Sequence, residues 1–179
     1  MTTLRDPACH DDLLNYRLKQ IVNVGGAAAI RLCEGRYGIS RFQWRTLAAL
    51  AESGPMSPAA LVRRTGVDGA RISLAIRALA DKGLVHRESV SGDRRRALVF
   101  ATVRGSRLYE ELFPQLASLN RALVAALDAA EERALDRCLH KLLDRARKLA
   151  ESGAGVPQRA QRRLGTARRL SASLDSKRT

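Results

Sequence analysis

Apolar residues recur at spacings of three and four along most of the chain, which is the period of an amphipathic α-helix. The first run follows Asp11 and Asp12, either of which can cap a long first helix that ends between Gly35 and Gly38. The apolar face of this predicted helix comprises Leu14, Leu18, Ile21, Gly25, Ala28 and Leu32. The pattern therefore predicts a chain that begins with one long helix.

Three shorter helices follow, and each has a recognisable start signal. Ser40 and Gln43 have the spacing of a capping box, in which each side chain satisfies a backbone N–H at the helix start. Ser57 precedes Pro58, which is tolerated at the first helical position because its missing N–H would have no partner there. Asp68 can cap the third of these helices. The inward positions of that helix are Ile72, Ala75, Ile76 and Leu79.

Two strand-like runs come next. Gly83 ends the preceding helix, and the runs from Leu84 to Val90 and from Ala97 to Val103 flank a turn at Ser91-Gly92-Asp93. Two short helices joined by a Thr-Gly-Val turn and followed by a β-hairpin form the arrangement of a winged helix-turn-helix. The sequence thus predicts a mainly α fold with a small β-hairpin, in which a winged helix-turn-helix domain adjoins a helical dimerisation region.

The C-terminal half of the chain carries a long leucine stripe. It begins after Gly105, and Asp128 with Glu131 provides a second capping box within it. The stripe comprises Leu108, Leu112, Leu116, Leu119, Leu123, Leu127, Leu135, Leu139, Leu142, Ala146 and Leu149. An intramolecular helical hairpin would account for part of this stripe. Because the stripe extends beyond what a small winged domain can cover, we expect these helices to pair with the first helix of a second subunit.

Positive charge is concentrated in two parts of the chain. The formal net charge is +14, of which residues 63–107 contribute +7 from 11 basic and 4 acidic residues, and residues 153–179 contribute +6. Such localised charge is typical of a surface that binds nucleic acid. Three consecutive arginines stand at the predicted hairpin tip, where guanidinium groups can reach a minor groove or the adjacent phosphates.

The block GVDGARISLAIRALADKGLVHRESVSGDRRRALVFATVRG resembles the recognition helix and wing of MarR-type transcriptional regulators. Asp93 and Arg95 match the D-x-R pair of the wing, and Thr102 with Gly105 matches the T-x-x-G that leads into the next helix. The resemblance covers residues 12–148 and implies a homodimer whose two recognition helices lie about one helical turn of DNA apart. It therefore implies a double-stranded DNA partner with a pseudo-palindromic operator.

The predicted domain organisation has four parts. A dimerisation helix occupies residues 1–38, the winged helix-turn-helix residues 39–104, the C-terminal dimerisation helices residues 105–150, and a basic tail residues 151–179. The tail is rich in Gly, Ser and Arg and has little apolar periodicity, which predicts a disordered, solvated extension. A second interpretation is an arm that adds phosphate contacts.

The predicted DNA-binding surface combines the recognition helix with the wing, because long donors near the start of a recognition helix can reach base edges. It comprises Ser57, Gly69, Arg71, Ser73, Leu74, Arg77, Asp93, Arg94, Arg95 and Arg96. We expect release by a small aromatic or phenolic effector that favours a separation of recognition helices unsuited to successive major grooves. Tyr16, Arg17 and Trp44 are the candidate effector-binding residues, with core packing as their alternative role.

Other classes of site have little support in the sequence. The three cysteines, Cys9, Cys33 and Cys138, are scattered without a C-x-x-C pair, which predicts a reducing cytoplasm and no structural zinc. The three histidines are equally far apart, so no metal or cofactor is expected. We find no nucleophile elbow or phosphate-cradling glycine loop and no run long enough to cross a bilayer, and we expect neither an enzyme nor a membrane protein.

Two alternative functions remain open. The first is a nonspecific architectural protein that binds DNA or RNA mainly through its basic tail. The second is a redox-sensing regulator of the same family that responds through Cys9, which lies just ahead of the first predicted helix. Affinity for one operator, compared with affinity for random DNA at the same salt concentration, separates the architectural protein from a specific regulator.

Overall fold

The computed structural model of the chain describes residues 4–89 and 97–152. These residues form two compact units, which are divided between Ala126 and Leu127. The described part of the first unit contains α1 (Leu14–Gly25), α2 (Ala27–Arg31), α3 (Arg41–Ser53), α4 (Pro58–Thr65), α5 (Gly69–Asp81), β1 (Val85–Ser89), β2 (Ala97–Ala101) and α6 (Val103–Val124). The second unit contains α7 (Ala129–Ser152). The fold is mainly α with a small antiparallel sheet, as the sequence predicts.

The N-terminal segment differs from the single long helix that the sequence predicts. α1 ends at Gly25, and Gly26 separates it from α2, because glycine has no side chain and weakens a helix. A Cβ at Gly25 would lie 3.2 Å from Cδ2 of Leu123 in α6, so this glycine also makes room for the leucine. A π-helical turn at Leu32–Arg36 then ends the segment.

The predicted capping of the first helix by Asp11 or Asp12 is wrong. The carboxylate of Asp12 lies in the 3-10 turn before α1, where it accepts hydrogen bonds from the backbone N–H groups of Ala8 and Cys9 at 3.1 and 3.3 Å. Its other oxygen pairs with Arg17 at 2.6 Å. Hydrogen bonding to Arg17, followed by that to Ala8, lowers the pKa of Asp12 from its ordinary value.

The start signals of the next three helices are confirmed. The Oγ of Ser40 accepts a hydrogen bond from the N–H of Gln43 at 3.3 Å, and Oε1 of Gln43 accepts one from the N–H of Ser40 at 3.1 Å. Ser57 caps α4, with proline at its first position, and Asp68 caps α5. Because local side-chain bonds decide where these helices begin, the sequence predicts their starts well.

The hairpin pairs β1 with β2 in antiparallel register, with Arg87 opposite Val99. Met56, which precedes α4, exchanges two backbone hydrogen bonds with Val99 on the other edge of β2, at 3.1 and 2.9 Å. This bridge ties the hairpin to the helix-turn-helix. The predicted turn at residues 91–93 lies outside the described residues.

One hydrophobic core joins α3, α4 and α5 to the hairpin and α6. The side chains that it buries most completely include Ile39, Leu47, Leu50, Leu61, Ile72, Ile76, Leu79, Val99 and Leu112. All four inward positions predicted for α5 are buried. The core therefore fixes which face of α5 remains accessible.

The junction between β2 and α6 depends on Thr102 and Gly105. The hydroxyl of Thr102 donates to the carbonyl of Gly83 at 2.8 Å and accepts from the N–H of Gly105 at 3.0 Å. A Cβ at Gly105 would lie 2.1 Å from the carbonyl oxygen of Leu84, so only glycine allows this approach. The T-x-x-G pattern thus packs the start of α6 against the exit from α5.

The second unit consists, in its described part, mainly of α7. The predicted capping box is confirmed, because the Asp128 carboxylate accepts from the N–H of Glu131 and the Glu131 carboxylate accepts from the N–H of Asp128, each at 2.9 Å. Five leucines of α7 are 40 to 51% exposed, namely Leu135, Leu139, Leu142, Leu143 and Leu149. Within residues 4–89 and 97–152, no helix has the length and hydropathy needed to span a bilayer.

Candidate DNA-binding surface and ligand cavity

The connection between α4 and α5 is a tight turn closed by local hydrogen bonds. Gly66 has a φ of 66°, a left-handed conformation that favours glycine, and ends α4. The hydroxyl of Thr65 donates to the carbonyl of Leu61 at 2.7 Å and accepts from the N–H of Val67 at 3.2 Å. Asp68 then accepts from the N–H of Arg71 at 3.0 Å. These bonds position the start of α5 relative to α4.

The face of α5 opposite the core is exposed. Ser73, Leu74 and Arg77 lie on it, and Leu74 is 68% exposed. The side chain of Arg77 makes no hydrogen bond or ion pair with any other residue that the structure describes, so its guanidinium is available to a partner. A helix that presents such a face beside a hairpin has the geometry needed to enter a major groove.

Arg71 lies at the edge of that face, about a quarter turn from its middle at 100° per residue. Its Nε is 3.4 Å from the Asp68 carboxylate, and its guanidinium is 5.0 Å from the centre of the Phe42 ring. The side chain is 60% exposed, so these contacts are weak and solvent-screened. Arg71 is therefore held toward α3 by contacts that a phosphate or base could replace.

The remaining predicted DNA-binding residues fall into two groups. Ser57 uses its Oγ to cap α4 by accepting from the N–H of Ala60 at 3.2 Å, and Gly69 begins α5 close to Val62, whose Cγ2 would lie 4.0 Å from an added Cβ. Asp93, Arg94, Arg95 and Arg96 lie outside the described residues, as does the chain beyond Ser152.

A cavity of about 260 Å³ opens beside α3 within the first unit. Its lining residues are Gly26, Ala29, Ile30, Cys33, Arg41, Trp44, Arg45 and Leu116. Most of this wall is apolar, and α3 adds two guanidinium groups one helical turn apart. An apolar cleft with a few charged groups is the usual form of a small-molecule site. This arrangement suits a flat, apolar ligand that carries a negative charge.

The two arginines of the cavity differ in their partners. The side chain of Arg41 makes no hydrogen bond or ion pair with another residue of the described part of the chain. Arg45 donates from Nη2 to the backbone carbonyl of Thr65, at 2.5 Å. One arginine is thus free to meet a ligand, and the other already contacts the end of α4.

The indole of Trp44 begins a stack of aromatic rings that runs to α6. Its centre lies 5.6 Å from that of Tyr109 at an interplanar angle of 11°, and Tyr109 stacks on Phe113 at 5.4 Å. The Tyr109 hydroxyl donates to the Glu52 carboxylate at 3.0 Å. Desolvation by burial, with the Glu52 contact adding to it, raises the pKa of Tyr109. These contacts fix the orientation of the indole in the cavity wall.

Of the three residues predicted to bind an effector, the structure places Trp44 in this cavity. Tyr16 instead packs its ring against His10, with ring centres 4.3 Å apart, and Arg17 pairs with Asp12. The sequence interpretation did not single out Arg41, Arg45 or Cys33. The spacing of Arg41 and Arg45 around Trp44 was the available signal, since positions i, i+3 and i+4 share one helix face.

The cysteines are free thiols in different surroundings. Cys33 is buried in the cavity wall, where desolvation, with the Glu34 charge adding to it, raises the pKa of its thiol. The exposed Cys9 has its Sγ 3.5 Å from a carboxylate oxygen of Asp12, whereas reactive thiolates lie beside cations. No group of three His, Cys, Asp or Glu side chains in the described part of the chain could hold a metal ion.

Known proteins resemble this chain over the same region. Residues 37–96 match the model of the MarR family. The HTH-type transcriptional repressor NicR of Pseudomonas putida is 32% identical over 106 residues, which cover 59% of this chain and 67% of NicR.

Solved structures share the fold. A probable transcriptional regulator from Pseudomonas aeruginosa has a TM-score of 0.64 and 30% identity, with 74% of this chain and 98% of that chain covered. Bordetella bronchiseptica BpsR, whose DNA binding is regulated by 6-hydroxynicotinic acid, has a TM-score of 0.68 and 25% identity, with 77% of this chain and 98% of that chain covered.

Proposed function

The chain belongs to the MarR family of transcriptional regulators, and we propose that it is a homodimeric repressor that binds a pseudo-palindromic operator and is released by a small aromatic carboxylate. The observation that carries this proposal is the exposed face of α5 in a winged helix-turn-helix, within a segment of net charge +7. The name of the relative NicR, a transcriptional repressor, supports the direction of regulation.

We assign base reading to the exposed face of α5. Ser73 and Arg77 can hydrogen bond to base edges, and Leu74 can contact a thymine methyl group. Arg71, at the edge of the face, reaches a base or a phosphate once it leaves Asp68. Ser57 and Gly69 lie at helix starts, where backbone N–H groups bind phosphates. The wing contributes Asp93, Arg94, Arg95 and Arg96.

Self-association would place two such faces on one duplex. Apolar residues on α1, α6 and α7 remain exposed, including Ile21, Val24, Phe113, Leu123 and the five leucines of α7. Exposed large apolar side chains in this number are typical of a protein interface. We therefore assign dimerisation to residues 1–38 and 105–150, DNA binding to residues 39–104, and auxiliary phosphate contacts to the tail at 151–179.

The effector class follows from the cavity beside α3. Pockets for drug-sized ligands are about 300–1,000 Å³, so a cavity of about 260 Å³ suits a single-ring molecule. The Trp44 indole offers a stacking surface, and guanidinium groups bind carboxylates in a bidentate manner. 6-Hydroxynicotinic acid, which regulates DNA binding by BpsR, has both a ring and a carboxylate. It is the first effector to test on this chain.

A selection experiment tests the DNA assignment. Sequences bound from a random duplex pool supply the operator, and affinity for it is then compared with affinity for random DNA at the same salt concentration. We expect the operator to bind about 10³-fold more tightly or better. Equal affinities would contradict the proposal and favour the architectural alternative.

Two arginine substitutions locate the DNA-binding surface. Arg77→Ala should weaken operator binding by about 1 to 3 kcal/mol, because it removes a donor at the groove without touching the core. Arg36→Ala is the matched control, since Arg36 is also exposed and lies outside the proposed DNA-binding surface. Equal losses in both variants would remove Arg77 from the interface.

Deletion of residues 153–179 tests the tail. If the tail binds phosphates, removing each arginine–phosphate pair should flatten the plot of log affinity against log salt concentration by about 0.9, while operator discrimination survives. An unchanged slope would leave the tail without a role in binding. A folded dimer that no longer binds any DNA would instead support the architectural alternative.

The effector is tested by adding 6-hydroxynicotinic acid to the operator complex, with 6-hydroxynicotinamide as the matched neutral analogue. We expect the acid to weaken operator binding and the amide to have no effect, because only the acid presents a carboxylate to Arg41 and Arg45. A parallel titration with peroxide on the wild type and on Cys9→Ser tests the redox alternative. Release by peroxide that requires Cys9 would favour it.

A further inference from the structure

Arg45 connects the ligand cavity to the helix-turn-helix. It lines the cavity from α3, and its Nη2 donates to the carbonyl of Thr65, the last residue of α4. We propose that Arg45 is a positioning residue that holds the turn between α4 and α5, and that an anion bound in the cavity loosens this turn by taking the Arg45 guanidinium. This inference rests on the proposed function, because it explains how that effector would act on the recognition helix.

The bond from Arg45 reaches the C-terminal end of α4, where backbone carbonyls need hydrogen-bond donors from outside the helix. The last four carbonyls of an α-helix have no donor within the helix, and a cation near the C-terminus also interacts favourably with the helix dipole. Arg45 satisfies one of these carbonyls from a neighbouring element. Thr65 is only 7% exposed, so water does not readily replace the guanidinium. Breaking this bond leaves a poorly solvated carbonyl, which is costly.

Thr65 also reaches the recognition helix through a short series of bonds. Its hydroxyl accepts from the N–H of Val67, and the next residue, Asp68, caps α5 through the N–H of Arg71. Only two residues separate Thr65 from Asp68. A change in the orientation of the Thr65 peptide therefore changes the start of α5, where base-reading side chains begin.

A carboxylate in the cavity competes with the Thr65 carbonyl for Arg45. The guanidinium is ionised in both bonds, but a carboxylate is ionised as well and pairs two oxygens with two guanidinium nitrogens, whereas the Thr65 carbonyl is a single neutral acceptor. Arg45 therefore favours a bound anion over a neutral carbonyl. The predicted result is an occupied cavity, a freed carbonyl at Thr65 and a looser α4–α5 turn.

Arg41 provides the matched control within the same cavity. It lines the wall one helical turn before Arg45, but its side chain forms no hydrogen bond or ion pair with a described residue. Arg41 can add to ligand affinity, whereas it has no path of its own to α4. The two arginines thus separate ligand binding from transmission of the signal.

Hydrogen exchange of the full-length protein without ligand tests whether Arg45 holds the turn between α4 and α5. In Arg45→Ala, the amides of Gly66, Val67 and Arg71 should exchange about 2- to 12-fold faster than in the wild type, which corresponds to the removal of one hydrogen bond. Arg41→Ala should leave them unchanged, and Arg45→Lys should restore part of the protection. The amides of Ile76 and Leu79 should not change, which excludes general destabilisation. Unaltered turn amides in Arg45→Ala would overturn the proposal.

A second experiment tests whether a bound anion acts on the turn through Arg45. It measures operator affinity with and without saturating 6-hydroxynicotinic acid and is repeated with benzoate. Arg41→Ala should need more acid but reach the same fold-decrease in affinity as the wild type. Arg45→Ala should bind the operator more weakly than the wild type without acid, and adding acid should change its operator affinity very little. A full decrease in Arg45→Ala would overturn transmission through this residue.

The hydrogen-exchange experiment and the operator titration together distinguish a failure of this inference from a failure of the proposed function. A wild type whose operator affinity responds to neither acid contradicts release by aromatic carboxylates and, with it, transmission by Arg45. The exchange experiment then still decides whether Arg45 holds the turn. Faster exchange confined to Arg45→Ala would support that role, and equal exchange in all variants would refute it.

Discussion

α5 and α7 are both amphipathic helices, yet they bury their apolar residues to very different extents. In α5, Ile72 and Leu79 have no exposed surface, because the helix packs against α3 and α4. In α7, Leu135 and Leu139 are 44 and 41% exposed. The spacing of apolar residues is the same in both helices, three and four.

The difference shows that periodicity specifies a helix and its apolar face but not the partner of that face. The partner of α5 lies in the same unit, and the leucines of α7 keep much of their surface free. Apolar surface of this extent is unfavourable in water at about 25 cal/mol per Å². The proposed second copy of the chain would remove it from water.

The largest expected effect is the loss of stability when a buried leucine of α5 is shortened. Leu79→Ala should lower the free energy of unfolding by about 2 to 5 kcal/mol, because it removes packed atoms and leaves a cavity in the core. Leu74→Ala, on the exposed face of the same helix, should change it by about 0.5 kcal/mol or less. Denaturant unfolding measures both, and similar decreases would contradict the assigned faces of α5.

The next largest effect is on self-association through the exposed leucines of α7. Leu139→Glu should raise the dimer dissociation constant about tenfold or more, because it would bury an unpaired charge in the interface. Arg137→Gln makes the same change in charge outside the leucine stripe and should have little effect. Analytical ultracentrifugation measures the association, with circular dichroism as the check on helix content. An unchanged association of the Glu variant would exclude this face from the interface.

A smaller effect is expected at the exit from α5. Gly105→Ala should destabilise the protein by about 1 to 3 kcal/mol, because its Cβ would lie 2.1 Å from the Leu84 carbonyl oxygen and 3.1 Å from Leu47 Cδ1. Gly35→Ala is the control, since a Cβ there meets no atom within 4 Å. Thermal unfolding distinguishes them, and equal midpoints would show that α6 can shift at no cost.

The smallest effect belongs to a partly buried group. Tyr109→Phe removes one hydrogen bond to Glu52 and should cost about 0.5 to 1.5 kcal/mol at neutral pH. The raised pKa of Tyr109 means that folding favours the neutral phenol. The stability that Tyr109 contributes is therefore fully present below the pKa of tyrosine in the unfolded chain, near 10. This stability is lost as pH rises through the higher pKa of Tyr109 in the folded protein. The Phe variant should lose less stability above pH 10, and parallel pH profiles would contradict this.

Local chemistry explains which parts of the fold could be predicted. The caps at Ser40, Ser57, Asp68 and Asp128 depend on side chains within three residues of the backbone groups that they satisfy. Such bonds can be identified from spacing alone. The same reasoning failed at Asp12, because nearby backbone N–H groups on its other side competed successfully for the carboxylate.

The candidate site shows the opposite limit. The sequence predicted Trp44 as an effector-binding residue together with Tyr16 and Arg17, but the residues that line the cavity with Trp44 come from other parts of the chain, such as Cys33 and Leu116. Arg45 contacts Thr65, which is 20 residues away, and no periodicity relates the two. Contacts of this kind depend on how helices pack, so the cavity and its link to the turn could not be predicted from the sequence.

The sequence by itself determined the starts of α3, α4, α5 and α7, the two faces of α5, the order of the winged helix-turn-helix and the location of the basic charge. Each of these depends on residues close together along the chain, where backbone geometry fixes the distances. Only the tertiary structure decided that Gly25 would receive Leu123, that Arg41 and Arg45 would differ in their partners, and that α7 would keep its leucines exposed. Those outcomes depend on which surfaces meet, and packing of the whole domain selects among many pairings that the same local pattern allows.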